Sequence, residues 1–196
     1  MNLVFERAKK INFIILLISA VCYFPSCATT SDREGVPFVW LTNSSKFILL
    51  PAKDIEKPLD GHQRINASFG GRDYQMDTWV KADETGMDIT LLNEMGANMG
   101  ELIYKDRMLS FSSAVFPPSL KPEYIAADFQ FCFYKAEAIR KALEKNGLVL
   151  LTSDEPRTRR IYEKDNLIVE ITFNLNYIKI INHLRGYTYT LEGDFQ

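Results

Sequence analysis

The sequence predicts an α+β fold, mostly antiparallel β, in which a helical pair separates two meanders. Three observations predict it: alternation of period two from His62 to Phe111, helical spacing after Pro117-Pro118, and renewed alternation from Leu148 to Glu192. A first strand is predicted at Phe47–Leu50, ended by Pro51. Between Arg72 and Asp83, Tyr74, Met76, Thr78, Val80 and Ala82 share one face, opposite Asp73, Gln75, Asp77, Trp79 and Lys81. Met87, Ile89 and Leu91 continue the pattern, then Leu102 with Tyr104, then Leu109 with Phe111. Gly70-Gly71, Glu84-Thr85-Gly86, Asn93 to Gly100 and Asp106 punctuate it, giving an antiparallel meander with one packed and one wet face.

Past Pro122 the apolar positions Ile125, Phe129, Cys132 and Phe133 mark one helical stripe. A second helix is predicted over Lys135–Lys145, with Ala136, Ile139, Ala142 and Leu143 on one side and Asn146-Gly147 as the stop. Strands return at Leu148–Thr152, Arg157–Glu163, Leu167–Phe173, Tyr177–Leu184 and Tyr187–Glu192. Asp165-Asn166 and Asn174-Leu175-Asn176 read as hairpin turns, and Arg185-Gly186 as a bend.

The N-terminus carries an export signal. Arg7, Lys9 and Lys10 precede a mostly apolar stretch from Ile11 to Phe24, followed by Pro25-Ser26-Cys27-Ala28. Fourteen residues are too few for a spanning helix, which needs about 20. The pattern predicts a signal over residues 1–26 and an acylated Cys27, with Cys22 as the fallback because Val21 fits a small-residue cleavage pocket poorly. Acyl chains contribute about 0.8 kcal/mol per buried CH₂, so two or three make a durable anchor. Residues 27–45, polar at their start, read as a tether, and 46–196 as a single domain. The uncharged Ala28 after Cys27 fits sorting to the outer membrane.

Charge and cysteine count narrow the function classes. The 23 basic and 25 acidic side chains give −2, and loss of Arg7, Lys9, Lys10 and Glu6 with the signal makes the mature chain more acidic. A mildly acidic chain without a basic domain argues against nucleic acid. With Cys27 acylated only Cys132 is left, so no internal disulfide is expected, and stability falls to the core that 13 Phe, 9 Tyr and 2 Trp help to build.

Signals of catalysis are missing. His62 and His183 lie in different predicted strands, and no Cys/His group has metal-ligand spacing, so neither a metal nor another cofactor is expected. There is no nucleophile elbow and no phosphate-cradling glycine loop. A carboxylate pair such as Asp77 and Asp88 could in principle meet across two strands, on a wet face where carboxylates usually just solvate. Cys132 sits in an apolar stripe, which raises a thiol's pKa and disfavours nucleophilic work. Arg157 and Arg159 share one face of a strand with Arg160 on the other. They are expected to be solvated or paired with Asp154, Glu155 or Glu163, the alternative being anionic lipid headgroups. The chain reads as a non-enzyme.

Several segments carry a family resemblance. They are Gln63-Arg64-Ile65 running into Gly71-Arg72, Leu91-Leu92-Asn93-Glu94-Met95-Gly96 with Leu102-Ile103-Tyr104, Tyr124-Ile125-Ala126-Ala127-Asp128-Phe129-Gln130, and Ile180-Ile181-Asn182 with Gly186-Tyr187. Together, over about residues 46–192, the chain resembles a bacterial lipoprotein family with members encoded beside aryl-polyene pigment biosynthesis genes. That family in turn resembles LolB, the outer-membrane lipoprotein acceptor. The resemblance implies a half-open β-barrel covered by a helical pair, with an apolar cavity for acyl chains between sheet and helices. Met76, Met87, Ile89, Phe129, Phe133 and Ile139 are the candidates to line that cavity. It also implies a protruding loop that delivers cargo or enters the membrane, matched here by Asn93–Gly100 with Met95 and Met99. The expected partners are a membrane, through the N-terminal lipid, and an acyl-chain or lipoprotein ligand, in the cell envelope at the periplasmic side of the outer membrane. The alternative is an accessory or structural lipoprotein whose half-barrel is filled by its own side chains.

Overall fold

The computed structural model describes Thr29–Thr30 and residues 35–69 and 71–193. Cys22 and Cys27 lie outside the described residues. The large sheet holds eleven strands: β1 (Thr29–Thr30), β4 (Leu59–Phe69), β5 (Arg72–Asp83), β6 (Gly86–Leu92), β7 (Asn98–Lys105), β8 (Met108–Ser113), β9 (Leu148–Asp154), β10 (Arg157–Glu163), β11 (Asn166–Phe173), β12 (Tyr177–Asn182) and β13 (Tyr187–Glu192). A separate hairpin joins β2 (Phe38–Trp40) to β3 (Lys46–Ile48). Two helices, α1 (Pro122–Phe133) and α2 (Ala136–Glu144), fall between the meanders in sequence.

The sheet order is β1-β8-β7-β6-β5-β4-β13-β12-β11-β10-β9, and every pairing is antiparallel. Two meanders therefore meet side by side at a single seam, where β13 pairs with β4 from Tyr187↔Phe69 to Glu192↔Arg64. The outermost strands, β1 and β9, pair with β8 and β10 and not with each other, so the sheet stays open. Right-handed twist accumulated over so many strands curls it, and the concave face must then be covered.

Alternation decides which residues face that concavity. Thr78, Val80 and Ala82 of β5, Met87, Ile89 and Leu91 of β6, and Leu102 and Tyr104 of β7 are all buried. Ile161 of β10, Ile171 of β11, Ile178 and Ile180 of β12 and Leu191 of β13 do the same for the second meander. The outer face carries Asp77, Trp79, Lys81, Lys179 and Thr190. At the far end of β7 a tight turn with Asp106 (φ 52°) and Arg107 (φ 63°) leads into β8.

The cover is a second layer made from the β2–β3 hairpin, a 3₁₀ turn at Ala52–Asp54, α1 and α2. For α1 the helical stripe captures only part of the burial. Phe129 and Phe133 are buried as expected, but so are Ala127 and Phe131 on other sides, while Ile125 is only partly buried. The cause is a sandwich: Phe131 packs against Phe47 of β3, with ring centroids 4.6 Å apart. A helix enclosed between two layers must be apolar on both sides. In contrast, α2 is simply amphipathic, burying Ile139 and Leu143 against β9 and β3 and ending at Gly147 (φ +73°).

The core begins earlier than the tether boundary at 45 implied. Val39 and Leu41 are buried in the same cluster as Phe47 and Leu49, because alternation in Phe38–Leu41 points these two side chains inward.

Candidate functional site

The six cavity-lining candidates converge on one place. Met76, Met87 and Ile89 rise from β5 and β6, and Phe129, Phe133 and Ile139 descend from the helices into the same apolar cluster. All but Met76 are buried, and Met76 is partly buried against the others. Phe129 and Phe133 lie 4.7 Å apart by ring centroid, and Phe129 meets Tyr134 edge-on at 6.5 Å. The concave face is thus filled by the protein's own side chains.

Two open clefts lie elsewhere, and neither is lined by any of the six. One, of about 510 Å³, is lined mainly by outward polar side chains of the seam, among them Asn66, Asp73, Gln75, Lys179 and Thr190. The other, of about 440 Å³, sits where α1 gives way to α2, between Glu56, Lys135, Glu137, Asp154 and Arg157.

Polar ties hold the cover to the sheet. An α-helix leaves its last four carbonyls without partners, and burying them unpaired is costly. At the end of α1 every one is answered. Tyr134 N–H donates to Gln130 O, and Glu56 N–H donates to Phe133 O. Arg159 Nη1 donates to Phe131 O (2.7 Å), Cys132 O (3.3 Å) and Tyr134 O (2.8 Å). Its Nη2 donates to Glu56 Oε2 at 3.0 Å. The Arg159 side chain is only 6% exposed. Burial lowers its pKa from the ordinary value, and the Glu56 carboxylate works against that shift.

A second tie is Gln130 of α1, fully buried, whose Oε1 accepts Leu50 N–H (2.8 Å) while its Nε2 donates to Leu50 O (2.9 Å). Tyr104 of β7 adds a hydroxyl bond to the same carbonyl at 2.8 Å.

A third tie joins α1 to the β13 side of the seam. Asp128 of α1 is buried and accepts the Tyr187 hydroxyl of β13 at 2.7 Å, with Tyr189 also bonded to it. Burial pushes the Asp128 carboxyl up to about 7, against the opposing pull of the two tyrosines and Arg185. Nearby, the Arg185 guanidinium lies over the Tyr124 ring at 4.3 Å and donates to Trp40 O at 2.6 Å.

The loop candidates separate. Met95 projects from the β6–β7 turn and is 89% exposed, whereas Met99 belongs to β7 and packs partly buried on the core. The remaining sequence candidates do not assemble. Asp77 stands opposite Leu92 and Asp88 opposite Lys81, so the register holds the two carboxylates apart; Asp77 takes Arg64 and His62 as neighbours instead. Cys132 is buried and its thiol is pushed up by burial. No group of three or more His, Cys, Asp or Glu side chains suited to a metal occurs among the described residues. Among them, too, no helix is long and apolar enough to cross a membrane.

The arginine cluster differs from its expected pairing. Arg160 pairs with Glu170, and Arg157 and Arg159 share Glu56 rather than Asp154, Glu155 or Glu163. Glu163 instead accepts the hydroxyls of Thr42, Ser44 and Ser45, pinning the β2–β3 turn to β10. The capping role of Arg159 had one signal in the sequence: it stands two residues from Ile161, on the inward row of the strand.

Two outcomes test these ties. Arg159→Met should lower unfolding stability by about 3–5 kcal/mol in urea titrations, because helix-end carbonyls and Glu56 lose a buried partner. A loss below 1 kcal/mol would show that the cap is dispensable. For Asp128 the native state holds its proton to higher pH than the unfolded chain, where the carboxyl titrates near 3.8. The stability that Asp128 contributes is therefore fully present below pH 4 and is lost as pH rises toward 7. Asp128→Asn should flatten that fall in urea midpoints measured between pH 5 and 8; an unchanged slope would acquit Asp128.

No curated protein matches the chain. The family model described as a protein of unknown function, DUF3261, matches residues 60–193, from β4 to just past β13 and so across both meanders and both helices, and the chain belongs to that family.

Proposed function

We propose that this chain is a lipid-anchored, LolB-like lipoprotein of the outer membrane that binds or passes an acylated ligand, and that the fold described above is its closed, empty form. The ligand class is a lipoprotein or a lipid with long acyl chains. One observation carries this reading: the apolar concave face of an open sheet is covered by a layer of hairpin and helices rather than by a second sheet. That layer meets the sheet through side-chain packing and localised polar ties, made from the sheet by Arg159, Tyr104, Tyr187 and Glu163. Lifting it would uncover Met87, Ile89 and Ile180 below, and Phe129 and Phe133 on its own underside. A flexible hydrocarbon tail is chemically suited to such a slot, since it asks for area and little direction.

A second reading is favoured by the filled interior. If the layer never lifts, the protein is an anchored accessory or structural lipoprotein, and its half-barrel is a solid core. Ligand uptake separates the two. A form starting at residue 28, first checked for cooperative urea unfolding, is titrated with a fluorescent long-chain fatty acid. Saturable, one-to-one enhancement that Phe129→Asp removes supports carriage. Enhancement no greater than that of an unrelated folded protein supports the accessory reading.

A further inference from the structure

An open sheet has two edges, and the two ends of this one are treated differently. At one end β1 lies along β8, pairing Thr29 with Ser113 and Thr30 with Ser112. At the other end β9 pairs with β10 alone. In an antiparallel strand every second residue turns its backbone N–H and C=O away from its neighbour. Among the described residues no backbone bond from a loop or helix reaches those groups on β9.

Natural sheets blunt such an edge with lysine, proline, a bulge or a very short strand. β9 uses none of these. It runs seven residues as Leu-Val-Leu-Leu-Thr-Ser-Asp, and its single charge is Asp154 at the last position. It pairs with β10 from Leu148↔Glu163 to Asp154↔Arg157 without a shift of register. The inward row, where α2 packs, buries Leu148 and Leu150. The outward row faces solvent: Val149 is 45% exposed and Leu151 54%, with Ser153 beyond them. A regular strand of this kind is a template for one more strand.

The sequence of β9 selects the partner. Placed antiparallel about a two-fold axis at Leu151, the strand is its own complement. Leu151 then stands opposite Leu151 of a second copy, and Val149 opposite Ser153, so the outward apolar rows of both copies run together. Charge favours this direction. It brings Lys145, just before β9, toward the Asp154–Glu155 end of the second copy, whereas a parallel pair would set those acids side by side. Arg157, the cation nearest that end, is already engaged by Glu56 and the Phe173 ring. Seven residues a side fall short of the roughly 20–30 in a standard interface, so the association is reversible and concentration-dependent.

We propose that β9 is a self-docking edge: two copies of this chain pair through antiparallel β9 strands centred on Leu151, joining their open sheets into one continuous sheet. The pairing uses neither the concave face nor the N-terminal anchor, so it stands or falls apart from the proposed ligand.

The test follows the full chain in density-matched detergent by sedimentation from about 1 to 500 μM, a range that spans a weak dimer. The expected result is a monomer at the low end and a dimer at the high end. Leu151→Lys, at an exposed outward position, should leave the urea midpoint unchanged and move dimerisation at least tenfold higher in concentration, because like charges then stand directly opposite. Mixing Leu151→Lys with Leu151→Glu should restore the dimer. Cross-linking reads the register. Under mild oxidation Leu151→Cys should give a covalent dimer, whereas Leu175→Cys, 76% exposed between β11 and β12, should not. The chain without an added cysteine gives the background, Cys132 being buried. A monomer throughout, whether bare or with another extended segment seated on β9, would overturn the proposal. So would a dimer that Leu151→Lys leaves intact, or equal cross-linking at positions 151 and 175.

Discussion

The buried guanidinium of Arg159 is the constraint on which the arrangement of layers depends. An open antiparallel sheet with an apolar concave face needs a cover, and here the cover includes a helix that ends inside the protein. The carbonyls at that end need partners from outside the helix. One side chain reaching in from β10 takes up three, a backbone N–H from the segment before β4 takes up a fourth, and Glu56 neutralises the cation that makes this possible. The same residues fix how the helical layer sits over the second meander. Desolvating an arginine is expensive, so the arrangement holds because each donor facing the helix has an acceptor.

Around this cap the other ties follow a common logic. Gln130 mimics a strand partner for Leu50, anchoring the segment after the hairpin to α1. Asp128 joins α1 to the seam between the meanders through two tyrosines. With the Glu163 bonds to the hairpin turn and the Tyr104 bond to Leu50 O, these ties hold the cover at several separate points, and apolar packing fills the area between them.

The alternating strands were legible in the sequence where one face is wet; Thr78 to Ala82 and Met87 to Leu91 show it in the simplest form, whereas Tyr74, expected on the packed face, is exposed. The amphipathic α2 was legible for the same reason. What escaped was everything enclosed on two sides. In α1, Phe131 and Ala127 face a hairpin whose own strands, Phe38–Trp40 and Lys46–Ile48, are three residues each and too short to declare a period. The early start of the core at Val39 was missed for that reason. Arg159 was read as a surface charge because its partners are backbone carbonyls, and its place on the inward row with Ile161 was the one sign in the pattern against that. The six apolar candidates lie in or against one apolar cluster, but periodicity says which side a residue faces and not whether the space it faces is empty.

The central claim is that the layer over the concave face can separate and admit a hydrocarbon chain. It is tested most directly by irradiating the full chain with a photoactivatable fatty acid and mapping the adducts by peptide mass spectrometry. The account predicts adducts on the facing surfaces of the slot, on α1 around Phe129 and Phe133 and on β6 around Ile89. Adducts confined to outward residues such as Trp79 and Leu175, with none on α1 or β6, would contradict it.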